Sequence, residues 1–149
     1  MPYWRLFYHF VWTTKNREPL LTPEVESLAY RCIRADAKEM YSPLCVVGGD
    51  VDHTHVLTAF RPAVSPAVFV QQVKGSSSHL ITEALKIPFE WQQGYGVFSV
   101  SESDVERVIQ YIRNQKQHHA RNTVVPEWEQ VHNWNFGPSE EQYRTLNDG

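Results

Sequence analysis

Two helix-length segments, 23–41 and 67–85, each lie between short runs rich in aromatic and β-branched residues, and this alternation limits the possible folds more than any other feature. The first run, 3–14, carries Tyr3, Trp4, Phe7, Tyr8, Phe10, Val11 and Trp12, side chains that pack well on a pleated surface. Thr22-Pro23-Glu24 then supplies a helix start, with a capping oxygen on Thr22 and a ring at Pro23 already set to the helical φ. Val25, Leu28, Ala29, Cys32, Ile33 and Ala37 recur at helical spacing to about Tyr41, and Pro43 closes the segment. Two apolar runs follow, 44–47 and 53–60, and Gly49 with Asp50 between them predicts an antiparallel hairpin turning there. Segment 67–85 places Val70, Val73 and Leu80 on one side. Its Gly75-Ser76-Ser77-Ser78 cluster is poor helix chemistry and implies close approach of another element. Glycines flanking Tyr95 predict a kinked strand over 91–100. Ser101 or Ser103 then caps a last helix whose apolar stripe is Val105, Val108, Ile109 and Ile112.

The resulting order is strand, helix, strand, strand, helix, strand, helix. Its first six elements match the split βαβ plan, so the expected class is α+β: a ferredoxin-like βαββαβ antiparallel sheet with helices on one face, plus a C-terminal helix. A length of 149 residues suits one domain of roughly 100–150 residues. We place that domain at 1–122 and an acidic, Trp-containing tail at 123–149. No run of about 20 apolar residues and no signal-peptide pattern occurs, which predicts a cytoplasmic protein without membrane contact. Cys32 and Cys45 show neither metal nor redox spacing and are expected as buried free thiols.

Strand parity puts His53 and His55 on one face of Asp52-His53-Thr54-His55-Val56-Leu57 and turns Thr54 to the other. Helical spacing makes Tyr111 and Gln115 neighbours. Two imidazoles can hold one divalent cation; the plain alternative is a pair of histidines on a sheet face, and the nearby sequence supplies no third ligand. A phenol of pKa near 10 becomes a nucleophile only beside a cation or a base, and a tyrosine on an amphipathic helix is more often packing. The net charge of −3 gives no global sign of a polyanionic partner. Around the last helix, however, Arg107, Arg113, Lys116 and Arg121 stand with His118 and His119 and no acid, which favours phosphate contact. Lys15, Arg17 and Lys74 can extend that patch, and Trp12, Trp91 and Tyr95 can stack bases if they are exposed rather than core.

These residues resemble a known family. Tyr8-His9-Phe10-Val11-Trp12-Thr13-Thr14-Lys15, the His53–His55 block, Val73-Lys74-Gly75-Ser76-Ser77, Trp91-Gln92-Gln93-Gly94-Tyr95 and Tyr111-Ile112-Arg113-Asn114-Gln115 stand in the order seen in IS200/IS605 single-domain transposases, the single-tyrosine branch of the HUH endonucleases. The resemblance implies that His53 and His55 are the histidine pair, Gln115 the third ligand and Tyr111 the nucleophile, with Mg²⁺ or Mn²⁺ as cofactor. It implies single-stranded DNA with a hairpin as substrate, a 5′-phosphotyrosine intermediate, and a homodimer whose sites are completed between subunits. The chain departs from the family at Thr54, usually a large apolar residue, and in its negative charge. Two other readings compete: a catalytically silent hairpin-binding module of the same fold, and a metal-dependent nucleotide phosphoesterase using the histidines and water.

Overall fold

The computed structural model describes residues 2–40, 42, 44–121, 123–129, 131, 141 and 144. Its elements are β1 (Phe7–Thr13), α1 (Pro23–Glu39), β2 (Cys45–Asp50), β3 (His53–Ala59), α2 (Pro66–Leu85), β4 (Gly96–Val100), α3 (Val105–Arg113) and α4 (Gln115–Arg121). The strands form one antiparallel sheet in the order β2-β3-β1-β4, as the split βαβ plan requires. Tyr41 and Pro43, where the first helix was expected to end, lie outside the described residues, as does most of the tail beyond Gln130.

Both long helices begin as their sequences dictate. The Thr22 hydroxyl accepts from the Val25 N–H and the Ser65 hydroxyl from the Val68 N–H, each followed by proline at the first helical position. α1 and α2 cover one sheet face, where Phe10, Trp12, Val56 and Phe60 meet Ala29, Ile33, Phe69 and Val73. The opposite face carries the alternate residues of β1 and β3. There Leu57 packs with Val108, Ile109 and Ile112 of α3, so this helix is the additional layer expected of it. Thr54 turns into the α1–α2 core and is fully buried.

Several boundaries differ from expectation. β1 starts at Phe7 rather than Tyr3, and β4 covers only the second half of 91–100, with Trp91 joining Thr14 through an isolated bridge. The hairpin turns at Val51 and Asp52, not at Gly49 and Asp50. Gly48 and Gly49 are strand residues at which a side chain has no room: a Cβ at Gly48 would lie 2.3 Å from the Ile112 carbonyl oxygen of α3, and one at Gly49 would lie 2.2 Å from the His53 carbonyl oxygen of β3. The last helix breaks at Asn114 into α3 and α4. The small-residue patch of α2 does admit neighbours, but at its serines. Ser76 donates to Asp36 of α1, and Ser77 accepts from the Trp91 indole, whereas nothing stands within 4 Å of a Cβ at Gly75. Cys32 and Cys45 are free and only partly buried.

Candidate active site

β3 delivers His53 and His55 to the face that α3 covers, and both rings are buried. His53 is held from two sides: its Nδ1 lies 2.8 Å from Asp52 Oδ1, and its Nε2 lies 3.0 Å from Gln115 Oε1. Burial lowers the His53 pKa, but the bonds to Asp52 and Gln115 and the charge of Glu129 outweigh it and keep the ring above its ordinary value. His55 sits opposite Val11 on β1 and Gly48 on β2. Its Nδ1 lies 2.8 Å from His9 Nε2 and its Nε2 lies 3.1 Å from Glu129 Oε2. Burial takes His55 below its ordinary value and pushes His9 down to about 3.

Tyr111 is buried on α3 with its ring edge-on to His55 at 5.7 Å between centroids and stacked on His118 at 4.9 Å. Its hydroxyl donates to Glu129 Oε1 at 2.5 Å and accepts from the Val125 N–H at 3.0 Å. Burial and the bond to an anionic acceptor push the phenol up to about 12, so it is held as a phenol. Gln115 keeps its place beside Tyr111 despite the helix break, because its Nε2 donates to the Tyr111 carbonyl at 3.3 Å. Its Oε1 also lies 3.1 Å from His119 Nε2.

Glu129 is the residue that sequence reasoning missed. A 3-10 turn, Pro126–Glu129, folds back over α3 with Trp128 edge-on to Tyr111 at 4.8 Å, and it sets the Glu129 carboxylate between the phenol and the histidines. Burial raises the Glu129 pKa, yet the bond and charge of His55, the bond to Tyr111 and the charge of His53 bring it down to about 2. One atom each from His53, His55 and Glu129 lie within 4.8 Å of one another, and Gln115 Oε1 adjoins His53 Nε2. Two imidazole nitrogens with carboxylate and carboxamide oxygens fit a divalent cation well. The acidic character of the tail was the only sequence signal of Glu129. His9 was within reach of strand parity, and His119 of i, i+4 spacing from Gln115.

The five residues expected to contact nucleic acid are not one patch. Lys15 pairs with Glu90 and Arg17 with Asp52, while Lys116 pairs with Glu26 and donates to the Gly49 carbonyl. Arg113, exposed, lines a cleft with Lys116, Asn114, Tyr30 and Gly48. Lys74 donates to the carbonyls of Gln92 and Gly94 and is pulled down to about 8 by burial. It lines a separate groove with Gly75, Trp91, Gln92 and Tyr95. Trp12 and Trp91 are core residues and offer no exposed stacking surface, and Tyr95 is half-buried. Among the described residues no helix is long and apolar enough to cross a membrane.

A family model described as IS200-like transposase matches residues 2–115. Among solved structures, a proposed transposase from Deinococcus radiodurans R1 is 30% identical, with 76% of this chain and 93% of that chain covered and a TM-score of 0.62. A REP-associated tyrosine transposase bound to a REP hairpin is 13% identical, with 83% of this chain and 73% of that chain covered and a TM-score of 0.60; at that identity the likeness is one of fold. No curated protein matches the chain.

Proposed function

Since the chain belongs to the family of IS200-like transposases, we propose that it cleaves and rejoins single-stranded DNA by attack of Tyr111 on a phosphodiester, with a divalent cation held by His53, His55 and Gln115. The observation that carries this reading is the single carboxylate of Glu129, which bonds Tyr111 through one oxygen and His55 through the other. An anionic oxygen pair already spans the nucleophile and the histidines, and a scissile phosphate would need the same span. Mg²⁺ or Mn²⁺ bound there would neutralise phosphate charge and polarise the phosphorus for attack. Tyr111 supplies the nucleophilic oxygen: its Oη–P bond forms as the P–O3′ bond breaks, the phenol proton leaves to solvent, and the 3′ oxygen takes a proton. The product is a 5′-phosphotyrosine that retains the bond for rejoining, so no nucleotide cofactor is needed. Asp52 and Gln115 hold the His53 ring from its two nitrogens. In the substrate-free site Trp128 lies edge-on over Tyr111. Substrate entry must move the Pro126–Glu129 turn, which supports treating residues from 123 onward as a segment distinct from the 1–122 catalytic domain.

DNA bearing a hairpin at element ends is the substrate in this reading; the fold likeness to a transposase bound to a REP hairpin supports it. Lys15, Arg17, Lys74, Arg113 and Lys116 are proposed phosphate contacts that exchange their acidic or carbonyl partners for DNA. A cytoplasmic location follows from this substrate. A homodimer in which α3 of one subunit serves the other belongs to the same reading, although in the single chain α3 rests on its own β2 and β3. Mixing Tyr111→Phe chains with His55→Ala chains separates the two arrangements: recovered activity means exchange, and none means that each chain uses its own helix.

The test is a denaturing gel with labelled hairpin-bearing oligonucleotides, with Mn²⁺ or chelator. A metal-dependent covalent adduct in wild type and none in Tyr111→Phe is expected. Hairpin binding without an adduct would favour the silent module. Turnover surviving Tyr111→Phe and lost in His53→Ala would favour the phosphoesterase.

A further inference from the structure

Trp128 and Glu129 are consecutive in the chain, and they enter the site together. The Glu129 carboxylate spans the Tyr111 hydroxyl and the His55 Nε2, the span a scissile phosphate would need. Beside it lies the half-buried Trp128 indole, edge-on to Tyr111 at 4.8 Å and to His9 at 5.6 Å between centroids. The indole rests on the apolar cluster of Leu57, Val108, Ile109 and Ile112. A cation covers one of its faces: Arg107 Cζ stands 5.1 Å from the ring centroid, and Arg107 precedes Tyr111 by one turn of α3. Arg107 is exposed and, among the described residues, forms no ion pair.

An apolar floor, aromatic edges and a flat cation over one face are the surroundings in which an unpaired nucleobase stacks. The indole is itself a flat ring of that kind. A nucleotide, like the Trp128–Glu129 pair, joins a flat ring to an anion through a short flexible link. We propose that Trp128 occupies a subsite for an unpaired nucleobase flanking the scissile phosphate, where the base stacks under Arg107 and against Tyr111 and His9. This inference rests on the proposed DNA cleavage at this site, in which the substrate displaces the Pro126–Glu129 turn. Displacement uncovers the apolar surface beneath the indole, and exposing it to water is unfavourable. A base that arrives with the phosphate covers that surface again, so the two displace Trp128 and Glu129 as a unit. A phosphate without a base competes with Glu129 alone and leaves the indole where it is.

The experiment is calorimetric binding of three probes to the full chain with Mg²⁺ present: 2′-deoxyadenosine 5′-monophosphate, 2′-deoxyadenosine 3′-monophosphate and base-free 2-deoxyribose 5-phosphate. Wild type is compared with the double variant Trp128→Ala/Glu129→Gln, which vacates both positions. A third protein adds Arg107→Lys to that variant, keeping the charge and losing the flat stacking surface. The double variant should bind one of the nucleotides about tenfold or more tightly than wild type does, and by a similar factor more tightly than the base-free probe. Which nucleotide wins reports the side of the scissile phosphate on which the base lies. Arg107→Lys should reduce the preference over the base-free probe to about threefold or less and leave that probe's own affinity unchanged. Equal binding of all three probes would overturn the base subsite while the phosphate position stands, and a preference untouched by Arg107→Lys would overturn the subsite as drawn. No binding of any probe would overturn the phosphate position itself, and the subsite with it. Should the double variant not fold, the indole N–H signal of Trp128 in wild type decides. Saturating deoxyadenosine monophosphate should move it to a solvent-exposed position and the base-free probe should not; a signal that stays in place with the nucleotide would overturn the proposal.

Discussion

Replacing Gly48 with alanine should unseat α3, the helix that carries Tyr111. The added Cβ would stand 2.3 Å from the Ile112 carbonyl oxygen and 3.0 Å from both its carbonyl carbon and its Cγ2. Ordinary contact begins at 3.4 Å, so α3 and β2 must separate by 3.4 − 2.3 = 1.1 Å at this point. The obstructing atom is backbone, and no rotamer change relieves it. Overpacking of this kind costs about 1–3 kcal/mol; without the clash, removing a glycine from a strand would gain about 0.5–1 kcal/mol. The sign of the stability change therefore reports whether α3 rests where the structure has it. Gly48 faces His55 across the strand pair, and Ile112 follows Tyr111, so the same displacement carries the phenol away from the histidine. A misplacement of about 1 Å at a reacting group can cost about 100-fold in rate. Urea unfolding and the yield of protein–DNA adduct measure the two effects. A Gly48→Ala protein as stable as wild type, or more so, would show that α3 does not sit on β2. The clash is the same if the helix comes from a second subunit, so this test does not depend on dimer geometry.

Gly75→Ala is the opposite case: it lies inside α2 with nothing within 4 Å of a Cβ, so stability should rise by about 0.5–1 kcal/mol, read from the urea midpoint. Weaker DNA binding by that more stable variant would mark the Lys74–Tyr95 groove as a strand path. Ser77→Ala should cost about 1–3 kcal/mol because it strands the buried Trp91 N–H, 2.9 Å from the Ser77 hydroxyl; a smaller loss than that of a surface serine would refute the bond. Glu129 has a folded pKa of about 2 against an ordinary 4.5, so its contribution is full above pH 4.5 and lost as pH falls from there toward 2. The shift sets a ceiling of about 3 kcal/mol on the stability difference between wild type and Glu129→Gln at pH 7. Protonation of His55 reinforces the pair in acid and lowers that figure. A difference that stays constant from pH 7 to pH 3 would mean that the carboxylate is not held as the structure has it.

What could be read from sequence was whatever a local period encodes. The alternation of β3 placed His53 and His55 together and sent Thr54 into the opposite core, because a strand allows no other arrangement. The spacing of Tyr111 and Gln115 survived even the break at Asn114, since the side chain of Gln115 reaches back to the carbonyl of Tyr111 and restores the contact. Gly49 and Asp50 misled because glycine has two uses, and at Gly49 the demand was space against the His53 backbone of the neighbouring strand rather than a turn. The surroundings of the cations were not legible for a related reason. Lys15, Arg17 and Lys116 are legible as charges, but their acidic partners, Glu90, Asp52 and Glu26, are 75, 35 and 90 residues away.

Glu129 shows the same non-locality, 74 positions from His55 and 18 from Tyr111, in a single 3-10 turn with no periodicity of its own. Its placement nonetheless has a physical logic. A buried phenol and two buried imidazoles leave polar atoms that need partners when no phosphate is present, and an unsatisfied set of that size would cost several kcal/mol. A carboxylate from the chain's own tail satisfies Tyr111 and His55 together, and its charge offsets whatever proton the histidines carry. Burial and the same bond raise the phenol to about 12 and so hold Tyr111 protonated. Stability of the resting site and reactivity of Tyr111 are therefore opposed through one residue. In the proposed mechanism a substrate phosphate must win that position from Glu129 before Tyr111 can act.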